Sequence, residues 1–152
     1  MKSSRLPALR RTLLLFVFGG ACYNLIEILW RGYTHWSMFF LGGVCFQWGG
    51  LIARRFRRHC LAVRCVLCSA AVTVSEFLCG CLVNLRFHLH VWDYSNQPFN
   101  LLGQICLLYS FLWGLLSIPA MPLYTALQRA LKRPGLMPSR RRAALRTASQ
   151  PV

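Results

Sequence analysis

Four long apolar stretches follow one another along the chain, at residues 12–30, 36–53, 61–85 and 101–124, separated by basic or turn-forming segments. Each approaches the roughly twenty residues that a helix needs to cross a hydrocarbon core of about 30 Å. The runs are continuous rather than alternating, which excludes a transmembrane barrel built from strands of about ten residues. The pattern predicts an all-α, polytopic membrane protein with four transmembrane helices in a compact bundle. A basic segment at residues 1–11 precedes the bundle, and a basic tail at residues 125–152 follows it, expected to be disordered at its end.

Composition agrees with this solvent. Hydrophobic residues make up 56% of the 152, more than a soluble domain of that size covers with polar surface. Charge adds an orientation. The N-terminal segment holds four basic residues (Lys2, Arg5, Arg10, Arg11). The turn between the second and third helices, with the start of the third, holds five (Arg54, Arg55, Arg57, Arg58, Arg64), and the tail holds seven (Arg129, Lys132, Arg133, Arg140, Arg141, Arg142, Arg146). The other two turns hold one each, Arg31 and Arg86. The positive-inside rule then predicts that both termini and the middle turn are cytoplasmic. The same residues can touch anionic lipid headgroups, so the net charge of +15 calls for membrane lipids as partners and for no nucleic acid.

Two other readings of the apolar segments fall away. A basic start followed by Gly19, Gly20, Ala21 and Cys22 hints at a cleaved signal with a lipid-attached cysteine, but the apolar run continues past Cys22 to Trp30, so an uncleaved first helix is expected. All eight cysteines lie in or at the edge of spanning segments. Cys65 and Cys68 form a CxxC without a second ligand pair, so the cysteines read as small packing residues. Gly42, Gly43, Gly49 and Gly50 share a face of the second helix, and Ala71, Ser75 and Cys79 recur every four residues on the third, which suits close helix packing in lipid.

The candidate chemistry lies in the few polar residues at membrane depth. Glu27, Glu76 and Asp93 are the only acids of the chain. On the orientation above all three lie in the outer half of the membrane or just beyond it, level with Arg31 and Arg86. An ionisable group at that depth costs about 2.5–3.5 kcal/mol on insertion scales, so it is expected to face the interior and to pair. Arg31 follows Glu27 by four residues, the favourable order on one helix face. Glu76, Gly80 and Asn84 run along one side of the third helix, where the glycine leaves room for a partner. Glu27, Arg31, Glu76, Asn84, Arg86 and Asp93 therefore form a candidate substrate or ion-pair cluster, with a purely structural lock as the competing reading. His35, His88 and His90 lie on the same side, but their spacing does not make a metal site, and no metal or cofactor is expected. The outer loop WDYSNQPFN (residues 92–100) combines Trp92, Asp93, Tyr94, Ser95, Pro98 and Asn100, and reads as a structured re-entrant loop at the headgroup boundary. The aromatic first outer turn has a similar character, which raises a parallel duplication of two helix pairs.

At these residues the chain resembles the CmpB-like family of small bacterial membrane proteins described as ABC transporter permeases. The resemblance runs from about residue 21 to residue 120. Its carriers are the Glu27 helix leading into RGYTHWSMFFLGGVCF (31–46), SEFLCGCLVN (75–84), and VWDYSNQPFNLLGQIC (91–106) with Ser110 and Trp113 beyond. It implies a non-enzymatic permease subunit for a small solute in the bacterial inner membrane. The sequence contains no GxxxxGK(S/T) loop, so a separate ATPase subunit is expected as partner. Four helices barely enclose a pathway, so a homo-oligomer is expected too. The alternative is a non-transporting membrane scaffold or sensor. An intramembrane enzyme using Glu76 or Asp93 ranks last, because no nucleophile and base stand at a suitable spacing.

Overall fold

The first apolar run forms α1 (Ala8–Arg31), which starts where Pro7 accepts the first helical hydrogen bond from the Arg11 amide at 3.2 Å. It stops at Gly32, whose left-handed φ of 78° lets its amide reach back to the Ile28 carbonyl at 2.9 Å; a side chain disfavours that conformation. A short turn leads into α2 (Trp36–Arg55), where the His35 ring caps the new helix by accepting from the Ser37 amide at 3.3 Å. The next helix is α3 (Leu61–Gly80), continued by a π-helical segment, Cys81–Arg86. A long loop ends in two short antiparallel strands, β1 (Asn100–Leu101) and β2 (Ile105–Cys106), and runs directly into α4 (Leu107–Lys132). This computed structural model describes residues 7–132. Most of the basic tail, and Lys2 and Arg5 at the start, lie outside the described residues, so the expected disorder of the tail does too.

All four helices are long and apolar enough to cross a membrane. Their surfaces are inverted relative to a soluble protein. Leu13, Val17 and Leu29 on α1, Val66, Val74 and Leu78 on α3, and Phe111 and Leu115 on α4 are exposed, while Glu27, Glu76, Asn84 and Gln104 are buried. An apolar belt of that extent is stable only against lipid, so the chain is a multi-pass membrane protein.

The expected fourth helix, 101–124, is corrected at both ends. Residues 100–106 are a hairpin with Asn100 opposite Cys106 and Leu101 opposite Ile105. Its turn carries left-handed backbone at Leu102 (φ 53°) and Gly103 (φ 68°), which no right-handed helix accommodates. The helix gains length at its other end and runs to Lys132, past residue 124 where the tail was expected to begin.

Helix packing follows the glycines, and it does so reciprocally. Phe46 and Phe39 of α2 fill the space over Gly19 and Gly20 of α1, while Tyr23 and Phe16 of α1 fill the space over Gly42 and Gly43 of α2. Missing side chains on each helix thus admit aromatic rings from the other, the close approach that small residues provide in lipid. Gly50 receives the Tyr124 ring of α4 in the same way. The α3–α4 contact is polar instead: Ser69 Oγ donates to the Ser110 carbonyl at 2.5 Å and Thr73 Oγ1 to Ser110 Oγ at 2.9 Å. The two helix pairs differ in their seams and in their connections. Helices α1 and α4 touch over far less surface than α1 and α2, and the bundle is cleft between them.

Candidate functional site

Two buried polar networks occupy the end of the bundle that carries the α1–α2 turn and the loop before α4. The first centres on Asn84, which the π-helical turn carries inward. Its Nδ2 donates to the Trp92 carbonyl at 3.0 Å and to Gln104 Oε1 at 2.8 Å, and its Oδ1 accepts from the Val91 amide at 2.7 Å. Trp92 Nε1 donates to the Gln104 carbonyl at 2.9 Å. Gln104 and the Trp92 ring lie where a Cβ on Gly80 would stand, so the glycine one turn before Asn84 makes room for the loop to plug the helix end. A widened turn of this kind recurs at functional sites, because it redirects one side chain without ending the helix.

The second network holds the carboxylates. Glu27 pairs with Arg31 Nη2 at 2.5 Å and accepts from Thr34 Oγ1 at 2.6 Å. The other guanidinium arm, Arg31 Nη1, donates to the Val91 carbonyl at 3.1 Å, so the ion pair also clamps the loop before α4. Glu76 is 1% exposed, and two neutral groups hold it: Tyr94 OH donates to Oε1 at 3.1 Å and Trp113 Nε1 to Oε2 at 3.0 Å. Burial, reinforced by the nearby Glu76, raises the Tyr94 phenol well above its ordinary range, so Tyr94 stays a donor.

Between α1 and α4, Glu27, Arg31, Tyr94 and Trp113 line a cavity of about 410 Å³, and Glu76 stands behind the last two rather than in its wall. A second cavity of about 190 Å³ lies against Gly19, Cys45, Gly49, Pro119 and Ala120. The two share Tyr23, Ile26, Trp113 and Leu116. Tyr23 and Trp113 stack with centroids 5.5 Å apart and planes at 25°, so this aromatic pair, with Ile26 and Leu116, stands where the two cavities meet.

The six residues of the expected cluster do not all meet. Glu27 and Arg31 line the larger cavity, and Glu76 and Asn84 bind the loop beside it. Arg86 and Asp93 depart from the expected grouping. Arg86 is exposed and makes no ion pair among the described residues, because the π-helical turn spends its inward direction on Val83 and Asn84. Asp93 is exposed as well and folds its own loop, accepting from the Ser95 amide at 2.8 Å and from Ser95 Oγ at 2.5 Å.

The rest of the loop is held by its own side chains. Asn100 Nδ2 donates to the Ser95 and Gln97 carbonyls at 3.1 and 2.8 Å, and Asn100 Oδ1 accepts from the Gly103 amide at 3.1 Å. Pro98 lies in the turn between Tyr94 and β1. Among the described residues no three His, Cys, Asp or Glu side chains converge as a metal site.

The two Ser95 hydrogen bonds hold the Asp93 carboxyl below its usual range. A lowered acid contributes order above its unfolded pKa and loses it as pH falls through the folded one. Protection of the Ser95 amide from hydrogen exchange should therefore persist at neutral pH and vanish only below the ordinary aspartate range. Asp93→Asn should make that protection independent of pH.

Sequence reasoning missed Gln104, Thr34 and Tyr23. Each sits in or beside an apolar run with nothing local to mark it. Gln47 was missed too; it ties three helices at the opposite end of the bundle by donating to the Thr12 carbonyl at 3.0 Å and accepting from Tyr124 OH at 3.0 Å. The one available signal was the Gly80–Asn84 spacing, which announces a partner without naming it.

A family model described as "Putative ABC-transporter type IV" matches residues 12–137 of the chain. No curated protein and no solved structure matches it.

Proposed function

This chain belongs to the family that carries that description, and from that premise we propose that it is the permease subunit of a transporter in the bacterial inner membrane. A small solute passes through the two cavities between α1 and α4, and the Tyr23–Trp113 stack is the barrier between them. That stack is the observation that carries the reading. Trp113 is latched to Glu76, and Glu76 to the outer-loop Tyr94, so a movement of the loop reaches the barrier through two hydrogen bonds. The chain itself is non-enzymatic, and a separate ATPase supplies the energy. Both termini and the basic end of α2 with the turn after it, where Arg54, Arg55, Arg57 and Arg58 are exposed, face the cytoplasm. A second copy seated across the α1–α4 cleft closes the pathway that one bundle leaves open.

Accessibility of Cys45, which lines the inner cavity, tests the barrier without knowledge of the solute. In a variant retaining Cys45 as its single cysteine, a membrane-impermeant thiosulfonate added from the outer side should label it slowly. Trp113→Ala removes a stacked pair of the kind worth about 0.5–1.5 kcal/mol and should accelerate labelling by up to about tenfold. Glu76→Leu, which unlatches Trp113, should act in the same direction. Labelling that is equally fast before and after both substitutions overturns the barrier. Flux in proteoliposomes driven by a co-purified ATPase then tests the permease assignment itself.

A further inference from the structure

Glu76 poses an electrostatic problem that its neighbours do not solve. Among the described residues the ion pair is Glu27 with Arg31, and Glu76 receives only the neutral Tyr94 and Trp113 donors. A carboxylate at membrane depth without a counter-charge is costly, whereas a cation beside it recovers much of that cost. The space for one lies on the far side of both donors: Tyr94 and Trp113 line the outer cavity, and Glu76 stands behind them. Tyr23, Trp30, Trp92 and Tyr109 line it with them, and Tyr94 and Tyr109 stack at 4.6 Å with planes at 17°. Aromatic walls attract cations through the ring quadrupole, most effectively where water is excluded. A ring whose N–H or O–H donates to a carboxylate is polarised toward greater electron density, which strengthens that attraction.

The inner cavity adds a second requirement. Gly49 is buried, yet a Cβ built on it meets nothing within 4 Å, in contrast to Gly19 and Gly42, whose spaces Phe46 and Tyr23 fill. Empty, apolar volume therefore lies on the far side of the Tyr23–Trp113 stack, among Gly49, Pro119, Ala120 and Leu123. We propose that the outer cavity binds an organic cation of the quaternary ammonium type, its charge enclosed by the aromatic wall in front of Glu76, and that its apolar substituent parts the Tyr23–Trp113 stack to enter the inner cavity. The proposal names the solute class for the permease reading and rests on it. Arg31 also lines the outer cavity, but one arm of its guanidinium serves Glu27 and the other the Val91 carbonyl. Its Nε is buried without a partner, which makes an anion the chemistry to test against.

The full chain, in nanodiscs of phosphatidylethanolamine and phosphatidylglycerol with empty discs subtracted, is titrated with tetramethylammonium, hexyltrimethylammonium and hexyl sulfate, following tryptophan fluorescence. Saturable binding of both ammonium ions is expected, tighter for the hexyl compound, with no competition from hexyl sulfate. Glu76→Gln, and separately Tyr109→Leu, should weaken hexyltrimethylammonium by about tenfold or more. Gly49→Leu fills the inner space and should abolish the several-fold advantage of the hexyl chain while leaving tetramethylammonium unchanged. Hexyl sulfate binding as tightly as the cation overturns the proposal, as does cation binding that survives both Glu76→Gln and Tyr109→Leu. Because Cys45 labelling needs no ligand, a failure here leaves the barrier result standing, and a failure there leaves these titrations interpretable.

Discussion

Replacing Asn84 by leucine is expected to destabilise the loop end of the bundle by about 3 kcal/mol, the largest effect of any single polar substitution among the described residues. Leucine is similar in size but offers neither donor nor acceptor. The Val91 amide, the Trp92 carbonyl and Gln104 Oε1 would each lose a partner. A buried polar group left unpaired costs about 1–3 kcal/mol, and three are lost together. Interhelical hydrogen bonds in membranes average nearer 0.6 kcal/mol in double-mutant cycles, so a contribution near the lower bound of each is the fair expectation. The effect should be local. Hydrogen-exchange protection of the Val91 amide should disappear and Trp92 fluorescence should shift, while amides in the α1–α2 seam keep their protection. An unchanged Val91 amide would show that the loop is held by something other than Asn84. Loss of the plug also withdraws Tyr94 from Glu76, so outer-side labelling of Cys45 should rise with it.

The second large effect is steric and lies at Gly20. A Cβ there would collide with the Phe39 carbonyl oxygen, a backbone atom of α2, as well as with the Phe39 ring. Backbone cannot swing aside as a flexible side chain can, so even alanine forces α1 and α2 apart. Overpacking of this kind costs about 1–3 kcal/mol, and leucine would cost more. Gly49→Ala is the matched control: it lies on the same helix as Phe39 and is equally buried, but its Cβ meets nothing within 4 Å. Resistance to unfolding in a sodium dodecyl sulfate titration should fall sharply for Gly20→Ala and Gly20→Leu and stay unchanged for Gly49→Ala. Equal behaviour of Gly20→Ala and Gly49→Ala would mean that the α1–α2 seam tolerates separation.

Both predictions concern partners distant in sequence, and that distance marks where sequence reading stops. The glycine pairs Gly42–Gly43 and Gly49–Gly50 were legible as one packing face, but not that Gly49 alone would border empty space. Pairing of Glu27 with Arg31 was legible because four residues on a helix make neighbours. The partners of Glu76, at Tyr94 and Trp113, lie 18 and 37 residues away, and Arg31 reaches across 60 residues to Val91. Asp93 looked like a member of the cluster because it is acidic and close in level. Its own two-residue turn with Ser95 satisfies it first.

The sequence by itself determined that this is a multi-pass membrane protein with four helical spans in a given order, and that its few acids sit near one end. Transfer into lipid is a sum over local side chains, so a window of about twenty residues contains nearly all the information that decides a span. Only the tertiary structure decided which acids share a site, where α4 begins, and that two cavities meet at an aromatic pair. Those outcomes depend on the rotation and approach of each helix, which in turn depend on whether a ring from one helix fills the gap over a glycine on another. Such contacts leave no periodic trace along the chain.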